Sequence, residues 1–397
     1  MARVLMGWEL GGGLGHVARL LPIARELRQA GHQPWFVVKR PESASLLFEG
    51  DEFPVSQAPP FPAFRSMDAN DTFRAETYAD ILRVHGFADH DALANGLAAW
   101  DRVFCELRPS LIVCDHAPRL CLAAMRKIPV VHVGTGFTCP PVSDTWFPPI
   151  PSDAPVITDQ TELLQVVRDV QRQRGGFLPE RLTDVLSHAE EFVTVWRELD
   201  PYRTVRERGT AGPLHRIPDT DYESADSGDV EFFAYLSGSM PGIEQVVLAL
   251  LKSGLRGRTF LRDATPDQTR RLQQAGARLE IRPVPLDAVL PTTPLVVHHG
   301  GIGLTEAGIA AGCPQLLLPG FLEQKLTGDC LEAMQAGRSF HGTVRLSSVI
   351  AAAGELLNPE TRQRSKQLAL NLRDRYPESA IVPVMNVCLR LLRWAIN

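Results

Sequence analysis

Two histidines and three glycines crowd into the six residues His298-His299-Gly300-Gly301-Ile302-Gly303, between an apolar run at 295–297 and a stretch of helical periodicity. At a strand-to-helix junction, glycines let a ligand approach the backbone, and the free N–H groups of the helix N-terminus face an anion. The chemistry on offer is phosphate binding; the alternative is a packing turn carrying two solvent-exposed imidazoles. A Gly-Ser turn, Ser237-Gly238-Ser239, follows the apolar run 230–236 and suits either a phosphate or an ordinary βα loop. A third turn, Gly11-Gly12-Gly13-Leu14-Gly15, leads into His16 at the start of another helical pattern. That histidine can cap the helix, touch a phosphate, or act as a general base, because imidazole exchanges its proton near neutral pH. Asp115 ends the apolar run 110–115. Its carboxylate can hold the far nitrogen of such a base or cap the helix predicted to begin at Pro118.

The elements that position these residues read as repeated βαβ units. Residues 3–6 form a short apolar strand. Val17, Leu20, Leu21, Ile23, Ala24 and Leu27 then recur at a helical period, Gly31 closes the helix, and 34–39 is strand-like. Residues 41–80 read as irregular. A helical stretch stopping at Pro109, a strand at 110–115, a helix at 118–126 and a strand at 128–133 give a further unit, and 192–196 is one more strand. The acidic stretch 219–229 has no apolar period and reads as a linker. The same grammar restarts at 230 with a strand, a Gly turn and a helix ending at Gly254.

The chain has 397 residues, 44% apolar and 22% charged, enough for two α/β domains. A net charge of −5 gives no basic footprint for nucleic acid. Seven cysteines without zinc-ligand spacing point to a reduced, cytoplasmic protein. The N-terminus does not read as a signal peptide, and no run of about 18 apolar residues spans a membrane.

Taken together, the motifs resemble the GT-B glycosyltransferases of the UDP-glycosyltransferase superfamily: the macrolide, glycopeptide-antibiotic and sterol glycosyltransferases and their plant relatives. Bacterial and sterol members carry the pattern HHGGxGTT…aGxPqlllP…DQ. Here it stands, without a gap, as HHGGIGLTEAGIAAGCPQLLLPGFLEQ at 298–324. The resemblance implies an α/β GT-B fold with two facing Rossmann-like domains and a cleft between them. Residues 1–217 would take the acceptor, 218–229 would link, 230–375 would bind the nucleotide sugar, and a helix in 376–397 would cross back to the first domain. It also implies an inverting, metal-independent hexosyltransferase acting between a UDP- or dTDP-sugar and a hydroxyl of a small-molecule acceptor. Trp8, Glu9, Phe61, Phe64, Phe73, Phe137, Trp146 and Phe147 are available to line an apolar acceptor pocket or to belong to an ordinary core, and are not assigned to either.

Residue by residue, His16 falls where relatives place the general base, and Asp115 where they place its acidic partner. His298, with His299 beside it, falls at the diphosphate-binding histidine. Gly300 and Gly301 match the close-approach glycines, Thr305 the second Thr of the motif, and Glu306 the ribose-binding Glu. Glu323 and Gln324 match the pair that bonds donor-sugar hydroxyls, and Ser237, Gly238 and Ser239 the second phosphate-facing loop. Gly303 and Leu304 replace hydroxyl residues found in many relatives, which leaves that contact to backbone N–H groups. No cofactor and no metal are implied, and the Asp-x-Asp at 219–221 falls in the linker. Two other readings share the features: a nucleotide-sugar 2-epimerase of the same fold, and a non-catalytic sugar-nucleotide-binding subunit. The Gly-His start and the Glu-Gln pair favour transfer.

Overall fold

The computed structural model describes residues 1–48, 50–61, 75–151, 158–215 and 230–396. The chain divides into two compact units, Met1–His215 with Glu378–Asn397, and Arg216–Pro377. The linker read at 218–229, with its Asp-x-Asp, and the aromatics Phe64 and Phe73 lie outside the described residues.

The first unit is built on a parallel sheet of β1 (Arg3–Trp8), β2 (Gln33–Val38), β3 (Val55–Gln57), β4 (Leu111–Asp115), β5 (Val130–Gly134) and β6 (Glu190–Val193), in the order β3-β2-β1-β4-β5-β6. Its central strands are buried along their length, as parallel sheets covered on both faces require. The first strand lies in the middle of the order. Right-handed crossovers therefore leave it toward opposite faces, and the carboxyl ends of β1 and β4 border the switch point. Trp8 and Asp115 are partners in register there.

Helix α1 (Gly15–Gln29) buries Val17, Leu20, Ile23, Ala24 and Leu27 against this sheet. Helix α2 (His90–Leu107) ends at Arg108, left-handed at φ 46°, just before Pro109. Helix α3 is Pro118–Ala124. In the second unit, β7 (Phe232–Ser237), β8 (Gly257–Arg262), β9 (Arg278–Glu280), β10 (Val296–His298), β11 (Gln315–Leu317) and β12 (Gly337–Ser339) form a parallel sheet in the order β12-β11-β10-β7-β8-β9. Its first strand is again central, and β7 and β10 border the switch point. Helices α4 (Ile302–Ala310) and α5 (Leu322–Ala333) follow β10 and β11. The last helix, α6 (Ile381–Ile396), returns to the first unit: Val384, Cys388 and Leu392 share a core with Val17, Leu20 and Leu27.

The edge strands β3 and β12, three residues each, lie where the sequence shows no strand pattern, since three residues cannot display an alternation. The strand read at 192–196 instead spans 190–193. Glu9, available in sequence for an acceptor pocket, is a buried hub of the core. One carboxylate oxygen accepts from Trp100 Nε1 at 2.7 Å. The other accepts from the N–H groups of Arg119 (2.9 Å) and Leu120 (3.1 Å) in the first turn of α3. Arg119 in turn donates to the carbonyls of Pro59 (3.0 Å) and Pro60 (3.1 Å). Replacing Glu9 with Ala strands these donors in the core. The expected loss is about 3–5 kcal/mol of first-unit stability, the range for breaking a buried charged pair, read as an early unfolding transition in urea.

Candidate active site

At the switch point of the first sheet, His16 lies in the first turn of α1 and Asp115 at the end of β4. His16 Nδ1 is 3.0 Å from Asp115 Oδ2, and Arg19 Nη1 donates to the same oxygen at 2.8 Å. Arg19 is one helical turn beyond His16, so both side chains leave α1 on one face. Asp115 is fully buried. Burial works to raise its carboxyl, but the charges and hydrogen bonds of His16 and Arg19 outweigh it and hold the group well below the usual carboxylate range. Against an ionised carboxylate, Nδ1 presents its N–H to Asp115, which leaves Nε2 as the nitrogen that can exchange a proton. Trp8 stacks on the imidazole at 5.4 Å and 23°. Gly11, at φ +91°, passes so close that a Cβ there would collide with His16 Nε2. Lys39 Nζ and Arg40 Nη1 hold the glycine turn from β2 by donating to the carbonyls of Gly11 (2.9 Å) and Gly12 (3.3 Å).

The turn in the second unit is organised differently from the sequence expectation. His298 is not presented to a diphosphate. It is 1% exposed, its Nε2 bonds Gln315 Oε1 at 2.8 Å, and its Nδ1 accepts from the Gly300 N–H at 3.1 Å. Gln315 Nε2 donates to the Thr305 carbonyl at 3.1 Å, which orients the amide and fixes the proton of His298 on Nε2. Burial pushes the His298 pKa down to about 4, so the ring is neutral at pH 7. His299 is also consumed: Nδ1 bonds the Leu318 carbonyl at 3.0 Å, and Nε2 accepts from the Ser237 N–H at 2.8 Å. It spans from the end of β7 to the end of β11, and burial lowers its pKa too.

Thr305 is likewise corrected, since its Oγ1 donates to the Gly301 carbonyl at 3.1 Å and the residue is fully buried. The peptide groups of Gly238 are taken as well: its N–H donates to Arg262 O at 2.7 Å, and its carbonyl accepts from Gln268 at 3.0 Å. Gly300, at φ +84°, serves close packing, with Leu317 and Gln324 where its Cβ would be.

What remains for an anion is backbone. Gly301 is the N-cap of α4, which has no side-chain cap, and its first-turn N–H groups run from Gly301 to Leu304. A Cβ at Gly301 or Gly303 would meet nothing within 4 Å. Leu304 turns its side chain to the core around Phe233 and Phe260. Ser237 Oγ and Ser239 Oγ lie 2.8 Å apart, and Ser239 is exposed. Gln324 Oε1 accepts from the Gly320 N–H at 2.8 Å, which turns the amide NH₂ outward as a donor. Glu323 is half-buried in the first turn of α5, and its carbonyl accepts from Thr327 at 3.0 Å. Glu306 is half-buried on α4. The turn therefore brings Ser237, His299, Gly300 and Gln324 together around backbone donors. Sequence reasoning missed Arg19, legible only as an i+3 partner of His16, and Gln315, which sits inside the motif but gains its role from strand pairing.

Among the described residues, one group has metal-ligand chemistry: His132, Cys139 and Glu191, with ligand atoms within 4.8 Å of one another. Burial pushes Glu191 up to about 7, and Arg206 Nη1 lies 3.0 Å from its carboxylate. A guanidinium thus already occupies the cation's role.

Residues 266–383 match the Erythromycin biosynthesis protein CIII-like, C-terminal domain. The L-demethylnoviosyl transferase of Streptomyces niveus is 39% identical over 102 residues, 25% of this chain and 26% of the relative, so the match spans about a quarter of that protein's length. Over 97% of this chain and all of the other, the fold superposes on the spinosyn rhamnosyltransferase SpnG complexed with spinosyn aglycone, with a TM-score of 0.66 at 17% identity. The Streptomyces sp. SF2575 glycosyltransferase SsfS6, complexed with thymidine diphosphate, superposes over 98% of this chain and 99% of its own, with a TM-score of 0.60 at 17% identity. The chain has the α/β GT-B fold, and its residues 266–383 are similar to the EryCIII-like C-terminal domain.

The role of Gln315 is testable without touching a ligand contact. Gln315→Leu should weaken UDP or dTDP binding about ten- to hundredfold, equivalent to the ~1–3 kcal/mol lost when a buried polar partner is removed, and as much as His298→Ala does. Titration calorimetry reads both. Acid stability gives a second check. His298 and His132 sit at about 4 when folded against 6.5 as ordinary values, so between these limits the unfolded chain binds more protons. Their contribution is complete above pH 6.5 and is lost as pH falls toward 4, seen as a declining thermal midpoint over that window.

Proposed function

We propose that this chain is an inverting glycosyltransferase that moves a sugar from a UDP- or dTDP-linked donor to a hydroxyl of a small-molecule acceptor. The observation that carries the reading is the buried His16–Asp115 pair at 3.0 Å, locked by Arg19. In this reading Nε2 of His16 takes the acceptor proton, and Asp115 stabilises the imidazolium that forms. The freed oxygen attacks the anomeric carbon from the face opposite the nucleotide, which inverts that centre. Negative charge on the departing diphosphate is met by the N–H groups and dipole of the α4 N-terminus, the part a metal ion plays in other enzymes. Gln324 offers its NH₂ to a sugar hydroxyl, and Ser239 its hydroxyl to the diphosphate.

The likeness to SpnG with an aglycone and to SsfS6 with thymidine diphosphate supports a reaction between a nucleotide-linked donor and a small-molecule acceptor. The seven cysteines are free, which suits a reducing cytoplasm. No helix among the described residues is long and apolar enough to cross a membrane.

His16→Ala should lower the transfer rate by about 10²–10⁴, the range for a general base, while nucleotide affinity stays as it was. Asp115→Asn should fall in the same direction, because it presents the wrong hydrogen-bonding face to Nδ1. An unchanged rate in His16→Ala contradicts the mechanism. Transfer should also persist in EDTA; activity lost there and restored by Mg²⁺ or Mn²⁺ shows that a cation, not α4, meets the diphosphate.

A further inference from the structure

His116 has three properties that the His16–Asp115 pair does not use. Its backbone is left-handed, φ +48°, a conformation that side chains with a Cβ adopt at a cost and that concentrates at functional sites. It is 4% exposed, and neither Nδ1 nor Nε2 has a hydrogen-bond partner among the described residues. Its ring lies 5.7 Å from that of His16, 6.1 Å from Tyr78 and 6.0 Å, edge-on, from Phe137.

Tyr78 repeats the pattern. It is fully buried, and its hydroxyl has no partner among the described residues. Buried polar atoms in folded proteins are nearly always paired, so three unpaired ones around a single histidine call for a partner that the described residues do not supply. Burial drives His116 down and Tyr78 up, so both rings are neutral and present one uncharged donor–acceptor set. Flat rings neighbour both groups: Trp8 stacks on His16, and Phe147 lies 5.2 Å from Tyr78.

We propose that His116 and Tyr78 form a subsite for a second, uncharged oxygen of a planar aromatic acceptor whose reacting hydroxyl lies at His16 Nε2. The proposal rests on the transferase reading and names its substrate class: a phenolic ring system with two neighbouring oxygens, one glycosylated and one recognised. His116 and Tyr78 are specificity residues, and the left-handed backbone of His116 is what turns its ring beside His16.

The test uses the intact chain and two probes, 7-hydroxycoumarin and 6,7-dihydroxycoumarin, titrated calorimetrically at neutral pH. The wild type should bind the dihydroxy probe at least tenfold more tightly. His116→Phe and Tyr78→Phe should each bring it to the level of the monohydroxy probe. Each melting temperature should stay level or rise, because both changes remove unpaired polar atoms from the core; a residue kept for structure alone would lower it. Tyr78→Phe, which changes one atom, covers the case in which His116→Phe fails to fold. Equal binding of the two probes by the wild type, a preference that survives in either variant, or a lowered melting temperature in both overturns the subsite. A thermal shift with UDP or dTDP, run alongside, separates the two failures. With the shift present, only the subsite falls; with it absent, the transferase reading falls too.

Discussion

A doubly wound sheet leaves one place that its own helices do not roof, the carboxyl edge beside the first strand, where crossovers depart to opposite faces. Both units of this chain have that geometry, and both candidate constellations sit there. In the first unit the place is bordered by Trp8 and Asp115, in the second by Ser237 and His298. A turn at such an edge has no helix or strand to fix it. In each case a buried polar side chain does so, and its pairing requirement then dictates the positions of its neighbours.

The two units solve that requirement with opposite electrostatics. Asp115 stays charged in the interior because His16 and Arg19 both reach one of its oxygens. The arrangement leaves His16 oriented and its Nε2 available. His298 stays neutral because burial pushes its pKa down to about 4, while Gln315 and the Gly300 N–H occupy both of its nitrogens. Here the product is not a reactive side chain but a held backbone, with α4 beginning at an uncapped Gly301. A base needs a lone pair in a fixed direction, and a diphosphate needs several N–H groups converging; in the proposed reading the two networks supply one each.

Much of this was legible in the sequence. The βαβ grammar and the glycine turns follow from apolar periods and Gly positions, which report local backbone needs, whereas the return of the last helix was implied by the family resemblance. The pairing of His16 with Asp115 was legible only through family resemblance, because the two are 99 residues apart. The role of His298 was misread for a physical reason. Whether an imidazole faces a ligand or the core depends on its cross-strand neighbour, and Gln315 reaches it only because β10 pairs with β11. His116 gave no signal at all, since a left-handed φ in a residue other than glycine leaves no mark on composition or spacing. The short edge strands β3 and β12 were lost for want of length.

The central claim is that the backbone donors at the start of α4 bind the diphosphate of a pyrimidine nucleotide. Thermal melting of the intact chain with UDP, dTDP, GDP and ADP at millimolar concentration tests it most directly. A ligand at a hundredfold excess over its Kd stabilises the folded state by about 2.7 kcal/mol, enough to move the melting temperature by a few degrees in a chain of this size. The account predicts an upward shift with UDP or dTDP that exceeds the shift with ADP. No shift with any of the four contradicts it.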